Sequence, residues 1–282
     1  MEKKGKYLNS FDGTKIFYIH KPGKINKTLV FLHGVGGNWT VWKKEIEFFQ
    51  KKGFSTLAID LRGHGQSDAP EEFDKYQLPH FSKDVNEIIK KENITKFTLI
   101  GHSLGGCISI VYCVDHKEQL PDHLILVETC SIYPFAHENM LNFGPYLTDF
   151  LRFVARHKAT HRQHFFHFEE ADLSIQGIKG QLQLISHLIH LTPLRSIAKA
   201  LDNAEKYSFN NQGKINDTLK NFNHPTLIIA GEYDKVIPTK YSRHIKKIAK
   251  NAKFNILKCG HNITVEKPEE VCKEIYKFIK EN

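Results

Sequence analysis

The sequence predicts an α/β fold with a mostly parallel central sheet, flanking helices and an inserted helical cap. Three observations predict it. Short apolar runs, TLVFLH, FSTLAID, KFTLIG and HLILVE, recur with helical segments between them. The rhythm breaks over residues 130–222 and then resumes with PTLIIAG and FNILKC. Near-continuous apolar runs of this length fit strands buried on both faces, and the intervening helices supply the crossovers that parallel strands require.

Taken in order, residues 7–20 hold two short β-like runs around Asp12-Gly13. That pair accepts the positive φ angles of a tight turn, so a hairpin is expected at the start. TLVFLH (28–33) follows as a strand, then a helical segment that ends at Gly53, the strand FSTLAID (54–60) and a second helical segment through about Lys91. KFTLIG (96–101), a helix from about Leu104 and HLILVE (123–128) continue the alternation. The stretch 130–222 is helical, histidine-rich and aromatic, without a convincing buried strand. An insertion that returns the chain to the same sheet is most simply a cap over the strands' carboxyl ends, where open α/β sheets bind ligands. The expected division is therefore a core of residues 1–129 and 223–282 with a cap of residues 130–222. PTLIIAG (225–231), a helix from about Thr239, FNILKC (254–259) and an amphipathic helix from about Lys267 complete the series.

At 282 residues and 40% hydrophobic composition the chain can bury a large core. The charged opening MEKKGKYLNSFDGTK lacks the apolar segment of a secretory signal, and no apolar run approaches the ~20 residues of a membrane span. A cytoplasmic protein with no stable membrane insertion is expected. Five cysteines, Cys107, Cys113, Cys130, Cys259 and Cys272, contain no CxxC pair and fit reduced thiols. The net charge of +9 is spread in lysine pairs along the chain, which fits a solvated surface and excludes nucleic acid as the expected partner. Oligomeric state is not legible.

The sharpest local signal is GHSLGG, residues 101–106, between the strand KFTLI and the helical stretch CISIVYCV. In a GxSxG turn of this kind the serine sits on a strained strand-to-helix corner, and the flanking Gly101 and Gly105 are needed where a Cβ would meet neighbouring backbone. Ser103 is the candidate nucleophile. At a helix N-terminus, the N–H of Leu104 points toward an oxygen that turns negative during acyl transfer.

A serine hydroxyl needs a base, and the base an orienting acid. PTLIIAG runs into EYDKVIP and FNILKC into GHNITVEKP, which places Asp234 and His261 in successive loops beyond strand ends. The order Ser, Asp, His suits three residues drawn from one edge of a sheet. Glu128 and Glu232 compete with Asp234 for the acid's place but rank below it, because Asp234 sits in a turn-like sequence ending in Val236-Ile237-Pro238 that can pin the loop; Glu128 is the candidate for a hydrogen bond at the cap hinge instead. HGVGG (33–37) directly follows TLVFL, which makes the N–H of Val35 the candidate second oxyanion donor.

HGVGG, DLRGHGQSD (60–68), GHSLGG, GEYDKVIP and GHNITVEKPEEV together resemble the α/β-hydrolase superfamily, in its serine branch of esterases, lactonases, cofactor-free haloperoxidases and carbon–carbon bond hydrolases. The resemblance implies Ser103, Asp234 and His261 as the catalytic residues, amides of Val35 and Leu104 as the oxyanion hole, and no cofactor. It also implies that DLRGHGQSD is mainly structural, which leaves Asp60, Arg62 and His64 out of catalysis. Haloalkane dehalogenases and epoxide hydrolases look similar but place aspartate at the elbow, so Ser103 speaks against both.

Hydrolysis of a small or medium carboxylic ester, thioester or lactone is the expected activity. A carbon–carbon bond hydrolase or lyase on the same three residues, or a ligand-binding receptor on the same scaffold, are the alternatives. Trp39, Phe135, Phe143 and Leu188 are the candidate lining of a substrate pocket, with Tyr146 and Phe150 beside them. His157, His161, His164 and His167, like His187 and His190, read as a polar helix face, and no metal site is expected.

Overall fold

The computed structural model describes residues 5–132 and 193–282. Eight strands form a single sheet in the order β1-β2-β4-β3-β5-β6-β7-β8. They are β1 (Lys6–Asn9), β2 (Lys15–Lys21), β3 (Ile25–Leu32), β4 (Phe54–Ile59), β5 (Phe97–His102), β6 (His123–Val127), β7 (Thr226–Gly231) and β8 (Lys253–Leu257). The expected hairpin is present: β1 pairs antiparallel with β2, Asn9 opposite Lys15, and Gly13 takes a φ of 82° in the turn. β2 joins β4 antiparallel, and every later pairing is parallel.

The helices are α1 (Lys43–Lys51), α2 (Leu78–Lys91), α3 (Leu104–Asp115), α4 (Leu194–Asn221), α5 (Thr239–Ile248), α6 (Ile263–Glu266) and α7 (Pro268–Glu281). Pro79 and Pro268 stand in the first turns of α2 and α7, where their missing N–H leaves no helical bond unmade. The side-chain alternation of β3 shows why its sequence is apolar throughout. Val30 and Leu32 face a cluster with Val85 of α2 and Ile108 of α3, while Leu29 and Phe31 face the opposite cluster with Phe49 of α1 and Ile275 of α7. Each such side chain, wholly removed from water, contributes about 1.5–3 kcal/mol. α4 belongs to the first layer, with Ala200, Ala204, Ile215 and Leu219 buried in that cluster.

One expectation is corrected at the edge. FNILKC reads as a strand buried on both faces, but β8 is the last strand of the sheet, ends at Leu257, and keeps Lys253 and Ile256 exposed. Phe254 and Leu257 are half-buried against opposite core clusters, and the strand stays partly open because, among the described residues, no ninth strand covers its free edge. Lysine on such an edge also opposes unwanted strand pairing.

The loop after β4 carries structure, as the resemblance implies. Arg62 is wholly buried and grips Asp84 with two hydrogen bonds, Nε to Oδ2 at 2.8 Å and Nη2 to Oδ1 at 2.7 Å, while Nη1 reaches Asp12 at 2.9 Å. Asp60 accepts from the backbone N–H of Trp39 at 2.7 Å and of Gln66 at 2.8 Å, which ties this loop to the segment after β3. Among the described residues no helix is long and apolar enough to cross a membrane.

Candidate active site

The carboxyl ends of β5, β7 and β8 deliver three side chains to one place. At the end of β5 the chain turns into α3 through Ser103, whose backbone holds φ 52° and ψ −117°. A non-glycine residue in that region is strained, and the surroundings enforce it. Ser103 N–H donates to Val127 O at 2.9 Å, and Thr129 Oγ1 donates to Ser103 O at 2.7 Å. The flanking glycines meet the expectation of close backbone approach. A Cβ on Gly101 would lie 2.3 Å from Gly105 O, and one on Gly105 would lie 2.4 Å from Leu32 O.

His261 lies in the loop after β8, with Nε2 3.1 Å from Ser103 Oγ. Its Nδ1 is 2.8 Å from Asp234 Oδ2. Because an ionised carboxylate can only accept, Nδ1 carries the hydrogen and Nε2 offers its lone pair to the serine hydroxyl. Asp234 follows β7 and is itself pinned: Oδ1 accepts from the N–H groups of Val236 and Ile237, both at 2.8 Å. Glu232, the other candidate in that loop, is exposed. The structure thus brings Ser103, His261 and Asp234 into one hydrogen-bonded line, although they are 158 and 27 residues apart in the two contacts.

Glu128 occupies a different position. It directly follows β6 with a φ of 46° and is 1% exposed. Its Oε2 lies 3.2 Å from His102 Nε2 and accepts from Ile263 N–H at 3.3 Å, so it joins the elbow to the histidine loop rather than binding the His261 ring. Burial pushes the Glu128 carboxyl well above the usual carboxylate range. His102, the residue before Ser103, donates from Nε2 to the backbone carbonyl of His261 at 2.9 Å, and burial lowers its pKa. Sequence reasoning passed over His102 and Thr129. The first lay in view inside GHSLGG; the second carried no signal, because its contact with Ser103 depends on β5 and β6 being neighbours.

The turn after β3 sits against Ser103. A Cβ on Gly34 would be 3.1 Å from Ser103 Cβ, and Gly36 takes φ 79° in a turn closed by Gly37 N–H to Gly34 O at 3.1 Å. His33 fastens it: Leu61 N–H donates to Nε2 at 3.0 Å and Nδ1 donates to Gly34 O at 2.7 Å, an arrangement only the neutral ring can make. Burial depresses the His33 pKa accordingly. Val35 is half-buried in this turn, and Leu104 opens α3, so the Leu104 N–H has no acceptor within the helix. Trp39 is half-buried beside the second core cluster, with its indole Nε1 buried and without a partner among the described residues. Phe135, Phe143, Tyr146, Phe150, Leu188 and the histidines at 157, 161, 164, 167, 187 and 190 lie outside the described residues.

Among the described residues, His102, Glu128 and His261 are the cluster whose metal-type ligand atoms come together, within 4.8 Å. Their nitrogens are engaged already, His102 with a carbonyl and His261 with Ser103 and Asp234.

A serine elbow over a mostly parallel sheet, with an acid and a histidine on later strand-end loops, is the architecture of the α/β hydrolases. The chain belongs to the family described as the alpha/beta hydrolase fold, whose model matches residues 27–268. It is 25% identical to epoxide hydrolase 3 of Xenopus tropicalis over 96% of this chain and 76% of that protein. It is 24% identical to the uncharacterized hydrolase YugF of Bacillus subtilis (strain 168), over 95% of this chain and 96% of that one. Among solved structures, the esterase from Exiguobacterium antarcticum superposes with a TM-score of 0.73 at 20% identity, covering 98% of this chain and 100% of its own.

Proposed function

We propose that the chain is a serine hydrolase that cleaves small or medium carboxylic esters, thioesters or lactones through an acyl-enzyme on Ser103. The observation that carries this reading is the line from Ser103 Oγ through His261 to Asp234, with spacings of 3.1 and 2.8 Å. His261 Nε2 takes the hydroxyl proton as Oγ attacks the carbonyl carbon, and Asp234 steadies the imidazolium that forms. The N–H groups of Leu104 and Val35 receive the oxyanion; one donor in such a site is worth about 2.7–4 kcal/mol. Collapse expels the alcohol with the proton from His261. A water deprotonated by the same nitrogen then attacks the acyl carbon and frees Ser103.

Ser103 is only 6% exposed, which favours a small ester that enters a recess over a polymer chain. The name of one relative raises epoxide opening as a second reading. A serine at the elbow disfavours it, since the resemblance places aspartate there in epoxide hydrolases. p-Nitrophenyl esters of graded acyl length test the proposal. Turnover that peaks at one length and disappears in Ser103→Ala supports it. A folded wild type that turns over none of them refutes it and leaves the ligand-binding reading in its place.

A further inference from the structure

Two of the five cysteines meet beside the nucleophile. Cys107 stands one helical turn after Ser103 on α3 and donates its backbone N–H to Ser103 O at 3.2 Å. Cys130 lies just beyond β6, and the two sulfurs are 3.9 Å apart. The backbones carrying them are close: a Cβ on Gly106 would sit 2.5 Å from Thr129 Cβ, so the neighbouring residues 107 and 130 flank a tight crossing of α3 against the end of β6. Cys107 Sγ also contacts Cys130 O at 3.4 Å. A disulfide needs its sulfurs at about 2.05 Å and its Cα atoms within roughly 4.4–6.8 Å. From 3.9 Å, side-chain rotation together with a small approach of the two backbones supplies the first.

We propose that Cys107 and Cys130 form a reversible disulfide, a thiol modification site next to the nucleophile, and that closing it slows acylation of Ser103. The second half rests on the serine-hydrolase reading; the first does not. The two thiols divide the roles that such chemistry requires. Cys107 is half-buried and thus reachable, whereas Cys130 is 5% exposed. The hydrogen bond from the Cys130 thiol lowers the Cys107 pKa to about 7, and the same contact together with burial raises that of Cys130. Cys113, Cys259 and Cys272 are buried, and burial pushes their thiols up, so they make poor nucleophiles.

With oxidised glutathione as oxidant the step balances. The Cys107 thiolate attacks one glutathione sulfur, the glutathione S–S bond breaks, and one glutathione thiolate leaves. Cys130 then loses its proton and attacks Cys107 Sγ, expelling the second glutathione thiolate. Two protein thiols become one disulfide, and one oxidised glutathione becomes two reduced ones. The closed bond draws together two segments that both hold the Ser103 carbonyl, through Cys107 N–H and through Thr129 Oγ1. A misplacement of 1 Å in an active site can cost about 100-fold, so a shift of a few tenths of an ångström is expected to lower kcat by roughly tenfold.

The test incubates the full chain with oxidised glutathione and reads intact mass, a peptide map and ester turnover. Expected are the loss of two hydrogens' mass, a Cys107–Cys130 cross-link, a roughly tenfold fall in kcat and recovery with dithiothreitol. Cys130→Ser should stop at one glutathione adduct on Cys107, and Cys107→Ser should give no cross-link with turnover unchanged. Absence of the 107–130 cross-link, or uniform reaction of all five thiols, overturns the site. A complete cross-link with unchanged kcat overturns the control it exerts. If the reduced protein turns over no ester, the hydrolase reading fails, and the cross-link is still scored by mass.

Discussion

Replacing Asp234 with Asn changes one atom of the site and should nearly abolish turnover. Asp234 Oδ1 accepts from the N–H groups of Val236 and Ile237, and those donors keep an oxygen on that side. The amide nitrogen therefore faces His261 Nδ1, where Oδ2 now lies at 2.8 Å. Two donors cannot face each other, so the ring takes the other tautomer and presents a hydrogen rather than a lone pair to Ser103 Oγ. The corresponding change in a serine protease lowers kcat by about 10⁴, or roughly 5.4 kcal/mol in the barrier. Steady-state hydrolysis of the preferred p-nitrophenyl ester, with far-UV circular dichroism to show an intact fold, measures the loss. Glu128→Gln serves as the contrast. Its amide keeps an oxygen for Ile263 N–H and its effect should stay within about tenfold. If Asp234→Asn retains a tenth or more of wild-type kcat while Glu128→Gln loses most of it, Glu128 is the working acid and the assignment of Asp234 is wrong.

Other outcomes follow from the same contacts. Gly105→Ala places a Cβ 2.4 Å from Leu32 O and 2.7 Å from His33 O, both backbone atoms, and should cost about 3 kcal/mol or more, seen as a fall in Tm of about 6 °C or more; an unchanged Tm would show that the crossing is looser. Arg62→Met strands the buried Asp84 carboxylate and should cost about 3–5 kcal/mol in urea unfolding, with Arg62→Met/Asp84→Asn recovering a measurable part; no recovery would argue against that charge as the cause. His64 is buried and donates from Nδ1 to Arg62 O, with its pKa lowered to about 4. The unfolded chain therefore takes up this proton first, so the contribution of His64 is complete above pH ~6.5 and is lost as pH falls toward about 4. Stability of His64→Gln should fall less steeply across that window, and parallel curves for the two proteins would contradict the linkage.

Much of this was legible because local rules and tertiary demands agree. Strands β3 to β7 are buried by helices on both faces, so their apolar runs announced themselves, and the elbow glycines announced a backbone crossing that the fold then supplies. β8 read as buried because Phe254, Ile256 and Leu257 are apolar, yet a strand's place in the sheet order is a property of topology. The positions of Glu128 and Cys130 were illegible for a related reason. Each lies just past β6, and their partners, His102, Ile263 and Cys107, come from segments made neighbours by parallel pairing of β5 with β6 and by the return of the chain after β8. Asp234 is favoured over Glu128 already by the turn-like Val236-Ile237-Pro238 that follows it, and the two N–H donors that hold its Oδ1 come from that turn.

The most direct measurement is intact-mass analysis of the folded protein after treatment with a fluorophosphonate, followed by location of the adduct. A serine hydrolase built on this line of contacts should take up one equivalent, on Ser103, with no uptake by Ser103→Ala and much slower uptake by His261→Ala. Failure of the folded wild type to label, or equal labelling of Ser103→Ala, would contradict it.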